Sequence, residues 1–88
     1  MADEKLQAAL TGRLAELYGM AEGLKTAAVV IPGILRDFRG MLDDLPKGGR
    51  AQEEYRTEDG RAVIILTGLK DSKGCICVDG ALVNGKRV

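Results

Sequence analysis

Cys75 and Cys77 are the residues of this 88-residue chain whose type and spacing most directly offer chemistry. Thiolates two positions apart can hold a soft metal, but such a site needs further ligands and the chain contains no histidine. In a strand the two side chains point to the same face, a spacing poorly suited to bridging each other. They read instead as reduced structural thiols, at least one of them buried in a sheet as a small hydrophobe. The absence of histidine also removes the usual general base and pH switch. Three carboxylate pairs, Asp43-Asp44, Glu53-Glu54 and Glu58-Asp59, are adjacent in sequence. Catalytic carboxylates must converge across space, whereas neighbours on a helix or strand point apart. Ser72 is the sole serine and has no base to activate it. Gly48-Gly49-Arg50 and Lys73-Gly74 lack the spacing and following helix of a phosphate-cradling loop. The expectation is a protein that is not an enzyme and uses no metal or cofactor.

Charge points to no strong electrostatic partner. Thirteen Lys/Arg balance thirteen Asp/Glu. Residues 1–44 carry five basic against seven acidic groups and residues 45–88 carry eight against six, so the halves are at −2 and +2. This dipole is too mild to call for a membrane or nucleic acid. An alternative remains in which Arg61, Lys70, Lys73, Lys86 and Arg87 gather on one sheet edge and touch phosphate. One Phe, two Tyr and no Trp leave little to stack on bases. Residues 83–88, Val-Asn-Gly-Lys-Arg-Val, resemble the closing hairpin of S4-type RNA-binding domains. Those domains enter that hairpin from two short arginine-rich helices, whereas residues 68–80 read as loop and strand, so no residue role is carried over.

The elements that must position these groups are set by a loose internal repeat. Gly12, Leu14, Gly19, Met20 and Leu24 recur as Gly33, Leu35, Gly40, Met41 and Leu45. Large apolar residues in each copy fall three and four apart, the period of a helix with one buried stripe. The spacing predicts a helix over about 3–28 and a second from about Pro32 to Asp44, with a β-branched turn at Val29-Val30-Ile31 between them. The same spacing also runs unbroken across Pro32, which would suit one long helix with a proline kink. Four glycines, Gly12, Gly19, Gly33 and Gly40, lie opposite the apolar seam and are expected to form a groove where another backbone packs closely. A leucine at Gly40 would then force the layers apart.

After Gly49 the period becomes strand-like. Residues 52–57 and 61–67 read as a hairpin with Asp59-Gly60 at its turn, and 62–66 as a central strand buried on both faces. Residues 74–79 and 81–88 supply two more short strands, with Asn84-Gly85 as a type I′ turn. The fold class is α+β: an N-terminal helical hairpin, or proline-kinked long helix, packed on a three- to four-stranded antiparallel meander. One domain over 1–88 divides into a helical layer (1–45), a linker (46–50) and the meander (51–88).

A chain this short and poor in aromatics often supplements its core by oligomerising. The seam residues Leu10, Leu14, Leu17, Leu24, Ile31, Leu35, Phe38 and Leu42 are therefore expected to form an interface with a second copy or a protein partner. No 18-residue apolar run or secretory leader is legible, so the expected setting is the cytoplasm, without a membrane partner. Size and Ala/Gly-rich composition point to a bacterial or phage-related source.

Overall fold

A computed structural model describes residues 3–88. Helix α1 (Asp3–Tyr18) is built from good helix formers and carries Leu6, Leu10, Leu14 and Tyr18 in one buried row at four-residue spacing. Gly19 ends it with φ +86° and ψ 150°, an extended left-handed backbone that glycine adopts without a Cβ clash. Helix α2 (Met20–Asp43) begins at once, the Gly23 amide donating to the Gly19 carbonyl at 2.8 Å. It ends where Leu45-Pro46 follows, its last carbonyls taken up by the Asp44 and Leu45 amides.

The helices form a hairpin, but its turn is a single residue at Gly19 rather than the expected Val29-Val30-Ile31. Pro32 lies inside α2, so neither the second helix starting at Pro32 nor one helix running unbroken from 3 to 45 is correct. An interior proline costs about 3 kcal/mol. The stripe Ile31, Ile34, Leu35, Phe38 and Leu42 is buried on and beyond it, at about 1.5–3 kcal/mol per large side chain, which outweighs that cost. The buried rows Leu6-Leu10-Leu14-Tyr18 of α1 and Gly23-Ala27-Ile31-Leu35 of α2 both follow i, i+4 ridges. The helices approach closely at Gly23. A Cβ there would stand 2.3 Å from the Ala15 Cα and 2.6 Å from the Leu14 carbonyl oxygen.

The sheet is an antiparallel meander of β1 (Arg50–Arg56), β2 (Val63–Lys70), β3 (Ile76–Val83) and β4 (Lys86–Arg87), in the order β1-β2-β3-β4. The architecture is thus α+β, with both helices on one face of the sheet. Asn84 and Gly85, at φ 51° and 83°, make the tight β3–β4 turn. Asn84 also ties that turn to β2: its Oδ1 accepts from the Val63 amide and its Nδ2 donates to the Arg61 carbonyl. The strand expected to break at Gly80 is continuous, with Asp79 as an extra bulged residue between the pairs Thr67–Gly80 and Gly68–Val78. Gly80 is needed inside β3 because a Cβ would meet the Thr67 hydroxyl at 2.6 Å.

Alternation along β2 sends Ile64, Leu66 and Gly68 into the core, Gly68 against Leu42 of α2. Val63, Ile65, Thr67 and Leu69 point the other way and are half-buried. The expectation of a strand buried on both faces is therefore met on the helix side only. Cys75 is also displaced from the reading: it lies in the loop before β3 and is exposed, while Cys77 is half-buried beside Leu69 on the outer face. Neither thiol is in the core: the strand starts at Ile76 rather than residue 74, which leaves Cys75 in the loop, and alternation that turns Val78 inward turns Cys77 outward.

Candidate association surface

The apolar seam is mostly used inside the chain. Leu10, Leu14, Ile31, Leu35, Phe38 and Leu42 are at most 5% exposed, so they build the core and cannot also be an interface. The hairpin turn at Gly19 brings the two halves of the seam together over the sheet, which a one-helix reading could not anticipate. The large apolar side chains that escape cover lie at the hairpin turn and along the first half of α2. Leu17 is 36% exposed, Leu24 45%, Met20 70% and Val29 80%. Met20, Leu24, Ala28 and Pro32 form one i, i+4 ridge of α2, and every member is exposed and apolar. Across residues 20–33 only Glu22 and Lys25 are charged. Depletion of charge around large exposed apolar groups is the composition of an interface centre. Met20, Ala28, Val29 and Pro32 were not among the expected interface residues. The uncharged run from Thr26 to Leu35 was the available signal for them.

The glycine groove is not formed within the chain. A Cβ at Gly12, Gly33 or Gly40 would meet nothing within 4 Å, and Gly19 is the helix break itself. The close-packing role belongs to Gly23, which lies outside the repeat-matched set because its counterpart in the second copy is Asp44.

A polar cluster fixes the hairpin tip to the sheet. The Tyr18 hydroxyl lies 2.9 Å from the Thr57 hydroxyl and donates to Asp59 Oδ1 at 2.7 Å. The Thr57 hydroxyl donates to the same oxygen at 2.8 Å, and so does the Arg61 amide at 3.1 Å. The Arg61 guanidinium stacks 4.3 Å from the Tyr18 ring centroid and donates to the Leu17 carbonyl. Four residues from α1 and the β1–β2 turn are thus locked together. The Arg61 amide and then the Tyr18 and Thr57 hydroxyls hold the Asp59 carboxyl below its usual range. Burial, chiefly, pushes the Tyr18 phenol up.

These shifts set two limits of stability. Asp59 is depressed when folded, so its contribution is present above the unfolded pKa and is lost as pH falls through the folded one. Tyr18 is raised, so its contribution is complete below pH 10 and is lost as pH rises through the folded pKa. Urea unfolding between about pH 2 and pH 7 is expected to show an acid limb beginning below about pH 4. That limb should be shallower in Asp59→Asn, and an equally steep limb in the variant would contradict the role given to Asp59.

The five basic residues proposed to gather do not. Arg61 is held at the α1 end of the sheet, near the turn that leads to Lys86 and Arg87. Lys70 ends β2 and donates to the Asp43 carbonyl, and Lys73 sits in the β2–β3 loop. The eight residues of β2 separate the two groups by roughly 23 Å at the rise of an extended strand. An antiparallel meander places consecutive turns at opposite ends, so residues from 61 and 73 cannot share an edge. Among the described residues no group of three or more His, Cys, Asp or Glu could hold a metal ion, and no helix is long and apolar enough to cross a membrane. No known protein family, curated protein or solved structure matches the chain.

Proposed function

We propose that this is a small non-catalytic association protein whose helical layer docks on a second copy of itself. The observation that carries the reading is the exposed apolar ridge of α2, Met20-Leu24-Ala28-Pro32, with Leu17 and Val29 beside it. The ridge is self-complementary in size. Two α2 helices laid antiparallel about Leu24 set the long Met20 of one copy against the short Ala28 of the other, and the reverse, as a two-fold contact requires. The hydroxyls and carboxylate of the Tyr18–Thr57–Asp59 cluster are occupied with one another, which favours a structural over a catalytic role. A reducing cytoplasm is part of this reading, since Cys75 and Cys77 are not joined in a disulfide. The nucleic-acid alternative has less support, since its basic residues divide between two ends of the sheet.

Sedimentation equilibrium at micromolar concentration tests the reading. The wild-type chain is expected to run well above its 9.4 kDa monomer mass. A Met20→Lys/Leu24→Lys variant is expected to run as a smaller species, because two charges must be desolvated to keep the contact. Equal masses for the two proteins would rule out the helical surface.

A further inference from the structure

The sheet has one long open edge, and its backbone groups say what completes it. β1 is the outermost strand, seven residues long, and pairs with β2 without a bulge. The Thr57 amide donates to the Ala62 carbonyl at 3.1 Å and the Lys70 amide to the Gly49 carbonyl at 2.9 Å, so 57–62 and 49–70 are hydrogen-bonded rungs. Such rungs alternate along an antiparallel pair. Ala51, Glu53 and Tyr55 therefore turn their amides and carbonyls toward β2. Arg50, Gln52, Glu54 and Arg56 direct theirs the other way, where no further strand lies among the described residues. A row of donors and acceptors at strand spacing is matched by another extended backbone.

We infer that the β1 edge pairs antiparallel with the β1 edge of a second copy, so that the two sheets run on as one. A peptide strand added here would leave its own far edge open, whereas two copies of β1 close both edges in a single two-fold contact. Outward residues must face outward residues, so the axis passes through one residue position of β1. At Glu53 it would set the two Glu53 side chains on the closest kind of rung and Arg50 against Arg56. At Glu54 it would set Glu54 against Glu54. At Ala51 the pairing would run back into Pro46 and the positive-φ Gly48, which lie outside the strand. At Gln52 the outward rungs are Arg50–Glu54, Gln52–Gln52 and Glu54–Arg50, each exchanging a pair of bonds. Tyr55 then lies beside Gly49 of the other copy, where no side chain competes for the space. Within each copy Arg50 is paired with Asp79 and Glu54 with Arg56. The junction continues these pairs as Asp79 and Arg50, then Glu54 and Arg56 of the other copy, with opposite signs adjacent throughout.

The contact uses the sheet edge rather than the α2 ridge, so it is read in the Met20→Lys/Leu24→Lys chain, where the helical surface is disabled. That chain is expected to sediment as a dimer at about 500 µM. Residue-resolved hydrogen exchange then reports which amides the second copy covers. Those of Ala51, Glu53 and Tyr55 are bonded to β2 and are expected to be protected at every concentration. Those of Arg50, Gln52 and Glu54 are expected to exchange freely at about 10 µM and about tenfold or more slowly at about 500 µM. Gln52→Pro deletes the amide at the two-fold axis, and proline is tolerated on an edge strand where that amide faces outward. Added to the same chain, it is expected to raise the dissociation constant about tenfold or more, whereas Gln52→Thr, which keeps the amide, stays within about threefold of the parent. A parent chain that stays monomeric, exchange at Arg50, Gln52 and Glu54 that ignores concentration, or a proline chain that dimerises as well as the threonine one would each overturn the edge contact. Should circular dichroism show the proline chain unfolded, the exchange pattern of the parent decides by itself. The comparison of wild type with the Met20→Lys/Leu24→Lys chain decides the helical reading separately.

Discussion

Gly23→Ala is expected to destabilise the protein by about 1–3 kcal/mol, while Gly40→Ala stabilises it by up to about 1 kcal/mol. The chemical change is identical and both sites lie in α2, so helix propensity alone predicts the same gain at each. The difference lies in what the added methyl meets. At Gly23 it would lie 2.3 Å from the Ala15 Cα, 2.6 Å from the Ala15 amide nitrogen and 2.6 Å from the Leu14 carbonyl oxygen. All three are backbone atoms, so no rotamer can relieve the overlap and the two helices must separate. At Gly40 nothing stands within 4 Å. The same openness reverses the sign expected for Gly40→Leu from the repeat, which becomes neutral or stabilising. Urea midpoints followed by circular dichroism measure both changes. A Gly23→Ala protein as stable as wild type would show that the helices do not cross at this point.

Phe38→Ala is expected to lose about 3–5 kcal/mol, the largest effect of any single truncation in the core. Phe38 is the only phenylalanine and is fully buried, in a core otherwise of Leu, Ile, Val and Ala with Tyr18 at its rim. It lies on the α2 stripe between Leu35 and Leu42, the part of the helix that packs on the sheet. Neighbours fixed on a helix and a sheet cannot collapse into the space a benzyl group leaves. A domain of this size has a total stability of roughly 4–13 kcal/mol, so the loss takes from about a quarter to all of it. Its melting temperature should fall by tens of degrees, at about 4–8 °C per kcal/mol. A loss below about 1 kcal/mol in thermal or urea unfolding would mean that the layers repack around the hole.

The parts of the fold that were legible in the sequence are those written in local chemistry. The change of period after Gly49, the Asp59-Gly60 turn, the Asn84-Gly85 turn and the stop at Leu45-Pro46 each depend on a few adjacent residues. The helix break did not read out because the apolar spacing from Leu14 through Leu17, Ala21 and Leu24 passes Gly19 without interruption. What sets the break is a positive φ, which glycine permits at many positions and periodicity does not locate. Pro32 misled in the opposite direction, since its local penalty is overridden by the stripe buried around it. The candidate surface was hidden for a related reason. Spacing marks which residues are apolar and share a face, and the hairpin then decides which of them the sheet covers. Leu10 and Leu24 belong to the same seam, yet one is fully buried and the other 45% exposed. The Tyr18–Thr57–Asp59 cluster joins residues about forty positions apart and had no local signature.

The order β1-β2-β3-β4, with one glycine between the two helices, has a kinetic consequence. Each half of the chain closes by joining segments that are neighbours in sequence: α1 with α2, then every strand with the next. Loops of a few residues close in well under a microsecond and hairpins in about 1–10 µs, so both layers can form without a long search. The only distant joining is the docking of one finished layer on the other, through the α2 stripe and the Tyr18 cluster. Folding is therefore expected to be fast for a protein that is part β, with its transition state at that docking step. Substitutions at the face where α2 meets β2 should change the rate of folding, while those in the β3–β4 turn should chiefly change the rate of unfolding.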